Sequence, residues 1–277
     1  MKTFTSTTAQ SLRDFTDATF PQGSFCFARL LRAKDIKVNG VRVNKNIMLA
    51  AGDEVVYYTT ARDESAPSHL KVYEDENILV ADKYSGVSAE GLRSELCEKG
   101  EFFAVHRLDR NTLGLIVFAK IGHAEGVLKE AFRDRGVQKT YLAVCKDGFK
   151  DDGATLTAYL KKDAKSAFVK VYDTPVTGGV TILTEYSVVQ RADNLALVKI
   201  NLHTGRTHQI RAHMAHIGCP VLGDNKYGDE RLNGQYALSR QCLVAKKIEF
   251  SRLSGKLAYL NGRSFESRFS LSFPPIK

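Results

Sequence analysis

Apolar and polar positions change period along this chain, and those changes outline its elements. Over residues 24–37, Phe27, Leu30 and Leu31 recur at helical spacing while Arg29, Arg32 and Lys34 take the other face, which predicts a helix. Residues 36–43 then alternate around Asn39-Gly40, the strongest short hairpin signal. Gly52-Asp53 marks a further turn before a strand at 55–58. The polar stretch 61–68, with one proline, reads as a linker. It separates a small α+β unit at 1–62 from a larger domain at 69–277. In the larger part, 72–83 reads as two strands around an acidic turn, and 115–119 as a buried strand. Residues 138–145, 181–190 and 195–202 alternate like half-buried strands, whereas 122–135 and 207–216 carry helical periodicity. Gly178-Gly179 reads as a loop between strands. The strict β-α alternation of a doubly wound fold is absent. The pattern predicts an α+β class with a mixed, mainly antiparallel sheet.

Bulk composition narrows the partners. With 43% apolar residues the 277-residue chain has the makings of an ordinary globular core. No run approaches the ~20 apolar residues that span a bilayer, and residues 1–14 are polar, without a secretory h-region. A cytoplasmic monomer is expected. The net charge of +9 favours an anionic partner, with nucleic acid first. Between residues 29 and 45 stand six basic residues and one acid, Asp35. The five cysteines form no C-x-x-C pair, so neither a zinc ribbon nor a redox motif is indicated, and reduced, mostly buried thiols are expected.

Two segments carry candidate chemistry. The first, V-H-R-L-D-R-N-T-L-G at 105–114, sets Asp109 between Arg107 and Arg110. A carboxylate beside positive charge stays ionised and can act as a nucleophile. On spacing alone, a surface turn with a salt-bridged Asp fits equally well. The second, at 202–228, reads L-H-T-G-R-T-H-Q-I-R-A-H-M-A-H-I-G-C-P-V-L-G-D-N-K-Y-G. Its His208, His213 and His216 are spaced by five and three, a poor match to metal-ligand spacing on one helix face. Tyr141, in an alternating strand, reads by itself as core. No glycine-rich phosphate loop is present, which argues against a nucleotide cofactor.

Together the two segments resemble the paired motifs of the RluA-type pseudouridine synthases, H-R-L-D-x-x-T-x-G and T-G-R-T-H-Q-I-R-x-H followed by G-x-P-x-x-G-D-x-x-Y-G. The resemblance extends in weaker form from Val72 to about Phe250. It implies RNA as partner, uridine-to-pseudouridine isomerisation, and neither cofactor nor metal. Ribosomal RNA is favoured over transfer RNA. It also implies catalytic roles for Asp109, for Tyr141 packed against the target base, and for Arg206 paired with the aspartate. Arg107 would fill the gap left by the flipped uridine, and Thr112, Thr204, Gln209 and Arg211 would contact substrate. Whether Asp109 attacks the base, attacks the ribose or abstracts a ribose proton stays open. Two positions depart from the family: Tyr84 where proline follows Lys83, and Leu113 where Ser or Ala is usual. Residues 1–62 resemble the alpha-L RNA-binding domain of ribosomal protein S-four type, which implies backbone contacts for Arg29, Arg32, Lys34, Lys37 and Arg42. The rival readings are an RNA-binding or ribosome-assembly factor with lost or dispensable isomerase activity, and a metal-dependent hydrolase built on the histidines.

Overall fold

The computed structural model describes residues 1–64, 67–163, 168–238 and 240–275. The chain forms two compact units: Met1–Arg110 with Val117–Glu125, and Asn111–Ile116 with Gly126–Lys277. The strand Leu113–Ala119 gives its first residues to the second unit and its last to the first. The polar stretch expected as a linker lies at 61–68. There Ala61–Glu64 forms a helical turn, and residues 65–66 lie outside the described set.

In the first unit, Lys2–Thr5, Glu54–Tyr57, Ile36–Val38 and Val41–Val43 pair in that order, all antiparallel. Asn39 and Gly40 take φ of 49° and 80°, the left-handed pair that a two-residue hairpin turn demands. The Asn39 carboxamide bonds to Glu54 N and Asp53 Oδ1, so the turn is also tied to the neighbouring strand. Two helices cover this sheet. Leu12–Thr19, which the sequence reading missed, is capped by Ser11, whose Oγ accepts from Asp14 N. Pro21–Ala33 starts on a proline, which suits the first helical turn, and ends at Lys34 in left-handed conformation. Leu12, Phe15, Phe27, Leu30, Ile36 and Tyr57 close a core wholly within residues 1–62. Buried Tyr57 satisfies its hydroxyl on Thr16, 2.7 Å away.

The same unit continues with the antiparallel pair His69–Glu74 and Ile78–Lys83, turned by Asp75, whose carboxylate accepts from Asn77 N and Ile78 N. Every residue of Ile78–Lys83 is buried, Asp82 and Lys83 included. Tyr84 N–H donates to Ser68 O, a ladder bond that proline could not make, so the departure from the family pattern adds a contact here. The helix Ala89–Cys97, also unanticipated, is capped by Ser88 and leaves Cys97 exposed, against the expectation of mostly buried thiols. Cys145 and Cys219 are buried; Cys26 and Cys242 are half-buried.

The second unit is a sheet in the order Val169–Tyr172, Gly153–Lys162, Val180–Ala192, Leu195–Leu202, Val137–Lys146, Leu243–Phe250, Leu113–Ala119. Its ladders are antiparallel except the last, where Leu113 and Gly114 run parallel to Val244 and Ala245. This is the mixed, mainly antiparallel α+β class that the patterning predicts. Gly114, at φ 105°, lies so close to the neighbouring strand that a Cβ would stand 2.3 Å from Ala245 O. Leu113 is half-buried in that pairing. The helix Gln209–His216 starts two residues later than predicted, because His208 is left-handed at φ 54°. It packs Ala212 against Ala158, Leu160, Val169 and Ile182. Among the described residues, no helix is long and apolar enough to cross a membrane.

Candidate active site

The segment carrying Asp109 has no regular hydrogen-bonded ladder of its own, so other groups must fix it. Within the first unit four do: Val117, Lys83, Gly86 and Asp17. His106 Nε2 accepts from Val117 N at 2.9 Å and ties the start of the segment to a strand. The carbonyl of Arg110 accepts from Lys83 Nζ at 2.9 Å and from Gly86 N at 3.0 Å. The Arg110 guanidinium is held by both carboxylate oxygens of Asp17. Asp109 itself is half-buried and Arg107 exposed, 3.6 Å from Glu90. His106 thus serves as a structural acceptor.

Lys83 was not singled out as functional from sequence, yet it anchors this segment. Its Nζ also donates to Val87 O at 2.8 Å and Tyr84 O at 3.1 Å, matching three N–H donors to three carbonyls. Burial pushes its pKa down to about 7, opposed by the nearby charge of Asp109. The available signal was an Asp-Lys pair ending a run of four apolar residues.

In the second unit, Arg206 sits on an exposed loop shaped by Gln209. The Gln209 Oε1 accepts from Arg206 N at 3.1 Å and from Thr204 Oγ1 at 2.9 Å, while its Nε2 donates to Leu183 O and Thr184 Oγ1. Thr204 Oγ1 also accepts from Leu183 N. Arg211 grips Asp224 bidentately, Nε to Oδ2 at 2.7 Å and Nη2 to Oδ1 at 2.8 Å. Thr112 Oγ1 accepts from Gln241 Nε2 at 2.7 Å. The resemblance implied substrate contacts for Thr112, Gln209 and Arg211. In this structure all three are buried, with their polar groups engaged by protein.

The three histidines are likewise absorbed: His208 Nδ1 meets the Tyr227 hydroxyl, His213 Nδ1 meets Thr184 Oγ1, and His216 Nε2 meets Asp173. Burial pushes His213 down to about 4, helped by the His216 charge. Among the described residues, no three His, Cys, Asp or Glu side chains cluster as metal ligands do.

Tyr141 is buried in Val137–Lys146, opposite Ile200 and Ala245. The register with Leu243–Phe250 shifts between Thr140 and Tyr141, where the facing strand carries one extra residue, Lys246. Elsewhere in this unit, Arg135, Lys139, Lys199, His203 and Lys247, with Glu185 and Glu249, help to line a cavity of about 460 Å³. Burial lowers the pKa of Lys139, and its Nζ would stand 3.2 Å from a Cβ added at Gly205, beside Arg206.

Of the five basic residues expected on the N-terminal RNA face, Arg32, Lys34 and Arg42 are exposed. Lys37 and Arg42 lie over the Tyr58 ring at 5.5 and 5.3 Å. Arg29 is ion-paired with Asp63 at 2.6 Å.

The family model described as RNA pseudouridylate synthase matches residues 77–216. A ribosomal large subunit pseudouridine synthase C of Vibrio vulnificus (strain CMCP6) is 33% identical over 251 residues, covering 80% of this chain and 78% of that protein. The protein of that description from Escherichia coli (strain K12) is 32% identical over 252 residues, covering 80% and 79%. Among solved structures, Human RNA Pseudouridylate Synthase Domain Containing 1 aligns with a TM-score of 0.57 at 22% identity, over 74% of this chain and 91% of its own. That last likeness is one of fold.

Proposed function

Because the chain belongs to the RNA pseudouridylate synthase family, and is thus an RNA pseudouridine synthase, we propose that it isomerises uridines of large-subunit ribosomal RNA with Asp109 as the catalytic carboxylate. The reaction breaks the bond from ribose carbon 1′ to uracil nitrogen 1 and forms one from carbon 1′ to carbon 5. The proton on carbon 5 leaves, and nitrogen 1 gains one. Nothing is oxidised or transferred to a second molecule, so protein side chains suffice. The observation that carries the reading is the fixing of the Asp109 segment by Lys83, His106 and Gly86, which leaves the carboxylate half-exposed at a set place. Pre-set geometry of this kind is what a nucleophile or charge stabiliser needs.

The other roles follow the chemistry. Tyr141 supplies a ring against which the base packs, worth ~1–3 kcal/mol per stacked base, and a hydroxyl for the carbon 5 proton. Arg206 supplies the cation that aims the carboxylate. Arg107, exposed and planar, occupies the gap left when the uridine leaves its stack. Gln209 and Thr204 hold the Arg206 loop through the internal bonds described above, while Arg211 and Thr112 brace the surrounding fold through Asp224 and Gln241. Residues 1–62 act as an RNA grip of alpha-L type, with Arg32, Lys34 and Lys37 against phosphate and Arg29 and Arg42 beside them. A ribosomal substrate places the work in the cytoplasm.

The test is Asp109→Asn in the full chain, assayed by tritium release from RNA labelled at uridine carbon 5. Activity falls below detection while RNA affinity changes little, because many phosphate contacts share the binding. Activity within tenfold of wild type would overturn the assignment of Asp109.

A further inference from the structure

We propose that Asp17, on the N-terminal helix Leu12–Thr19, is a positioning residue for the catalytic segment: it holds the Arg110 guanidinium and so fixes the neighbouring Asp109. The inference rests on the reading of Asp109 as the catalytic carboxylate.

Arg110 is held at both ends. Its carbonyl is pinned by Lys83 Nζ and Gly86 N, and its guanidinium lies in a fork-to-fork pair with Asp17. Clamped at backbone and side chain together, the peptide that joins Asp109 to Arg110 has little freedom to rotate. Asp17 is equally constrained. It is 5% exposed, and Arg13 Nε approaches it to 3.5 Å from one helical turn earlier. Its own carbonyl packs on the helix Ala89–Cys97, so closely that a Cβ at Gly91 would stand 2.6 Å away. Arg13 lies 4.5 Å from the Phe27 ring centroid, and burial, with Arg110 nearby, pulls its pKa down to about 10. One buried carboxylate thus serves two arginines. It is the group that the pair of guanidiniums can least do without, since a buried charge stripped of its partner is strongly unfavourable.

The consequence is functional. The two partners are 93 residues apart in sequence. The N-terminal module therefore does more than extend the RNA-binding surface. It supplies a counter-charge to the residue next to Asp109. Without that counter-charge, Arg110 can swing toward Asp109 itself, which lies one position away, and compete for the carboxylate that the reaction needs.

The experiment uses the full-length protein and compares Asp17→Asn, Asp17→Glu, Arg110→Gln and the double variant Asp17→Asn/Arg110→Gln. Single-turnover rate constants at saturating RNA are measured beside RNA affinity and thermal melting. A slackened catalytic group costs on the order of 10–100-fold in the chemical step, so Asp17→Asn should lose that much. Affinity should stay within about threefold, since a positioning residue makes no uniform binding contact. Asp17→Glu should recover part of the loss. The double variant should be no slower than the slower single, because both remove the same link. Arg110→Gln keeps the pair of Asp17 with Arg13, so where Asp17→Asn does not fold, the rate of Arg110→Gln serves as the reading, and a rate equal to wild type there overturns the inference as well. Losses that multiply in the double variant, or a rate for Asp17→Asn equal to wild type, overturn the inference. The control is Asp109→Asn. If it is inactive while Asp17→Asn is fully active, this inference alone falls. If it is active, the reading of the site falls first.

Discussion

Arg211→Met separates two readings of one residue. As a substrate contact, Arg211 would bind phosphate. As the structure places it, its fork is closed on Asp224 by two bonds of 2.7 and 2.8 Å, with side-chain exposures of 10% and 0%. Methionine keeps most of the apolar stem and removes the charge. Asp224 then stays buried with the N–H groups of Lys226 and Tyr227. Removing one partner of a buried pair costs about 3–5 kcal/mol. At ~2–4 °C per kcal/mol for a domain of 150–250 residues, the melting temperature should fall by roughly 6–20 °C. The pH dependence gives a second check. Burial pushes the Asp224 carboxyl up, but the bonds and charge of Arg211 and the two N–H groups outweigh it, so its folded pKa lies below the ordinary value. Its stabilisation is therefore full above the unfolded pKa and lost as pH falls through the folded one. In the variant, burial wins and the carboxyl takes a proton at higher pH. The deficit against wild type should thus shrink as pH falls from 7 toward ~4. The assay is thermal melting across that range, together with RNA binding at several salt concentrations. A melting temperature within ~2 °C of wild type, with a salt slope shallower by about one unit, would refute the buried-pair argument and make Arg211 a phosphate contact.

Three further outcomes are expected. Gly114→Ala should disrupt folding, because the backbone is left-handed there and Ala245 O blocks a Cβ; normal expression and melting would contradict the close approach. His213, pushed down to about 4 in the folded chain, lets the unfolded chain bind more protons from there to pH ~6.5, so stability rises with pH over that window. His213→Asn should flatten the rise, and an unchanged slope would show that other groups set it. Lys139→Gln, at the basic cavity beside Gly205, should weaken RNA binding and reduce the salt slope by about one unit if backbone phosphate enters there. An unaltered slope would leave Lys139 a packing residue.

Much of this protein was legible without coordinates because its signals are local. The Asn39-Gly40 hairpin follows from two residues that tolerate positive φ, and the strands from side chains that alternate within ten residues. The Asp109 and Arg206 segments stand out as contiguous motifs, and motif order carried the family. The helices Leu12–Thr19 and Ala89–Cys97 escaped the reading, although Ser11 and Ser88 cap them, because their apolar positions are few and interrupted. What only tertiary structure decided is which polar groups meet. Asp17 reaches Arg110 across 93 residues, and Gln241 reaches Thr112 across 129. A motif names a residue type at a position. Whether its donors face substrate or a buried partner depends on the chain that folds against it, since a desolvated polar group takes whatever partner packing supplies. Thr112, Gln209 and Arg211 read from sequence as contacts for RNA. Folding gives them the partners Gln241, Leu183 and Asp224, which no spacing within the motifs announces.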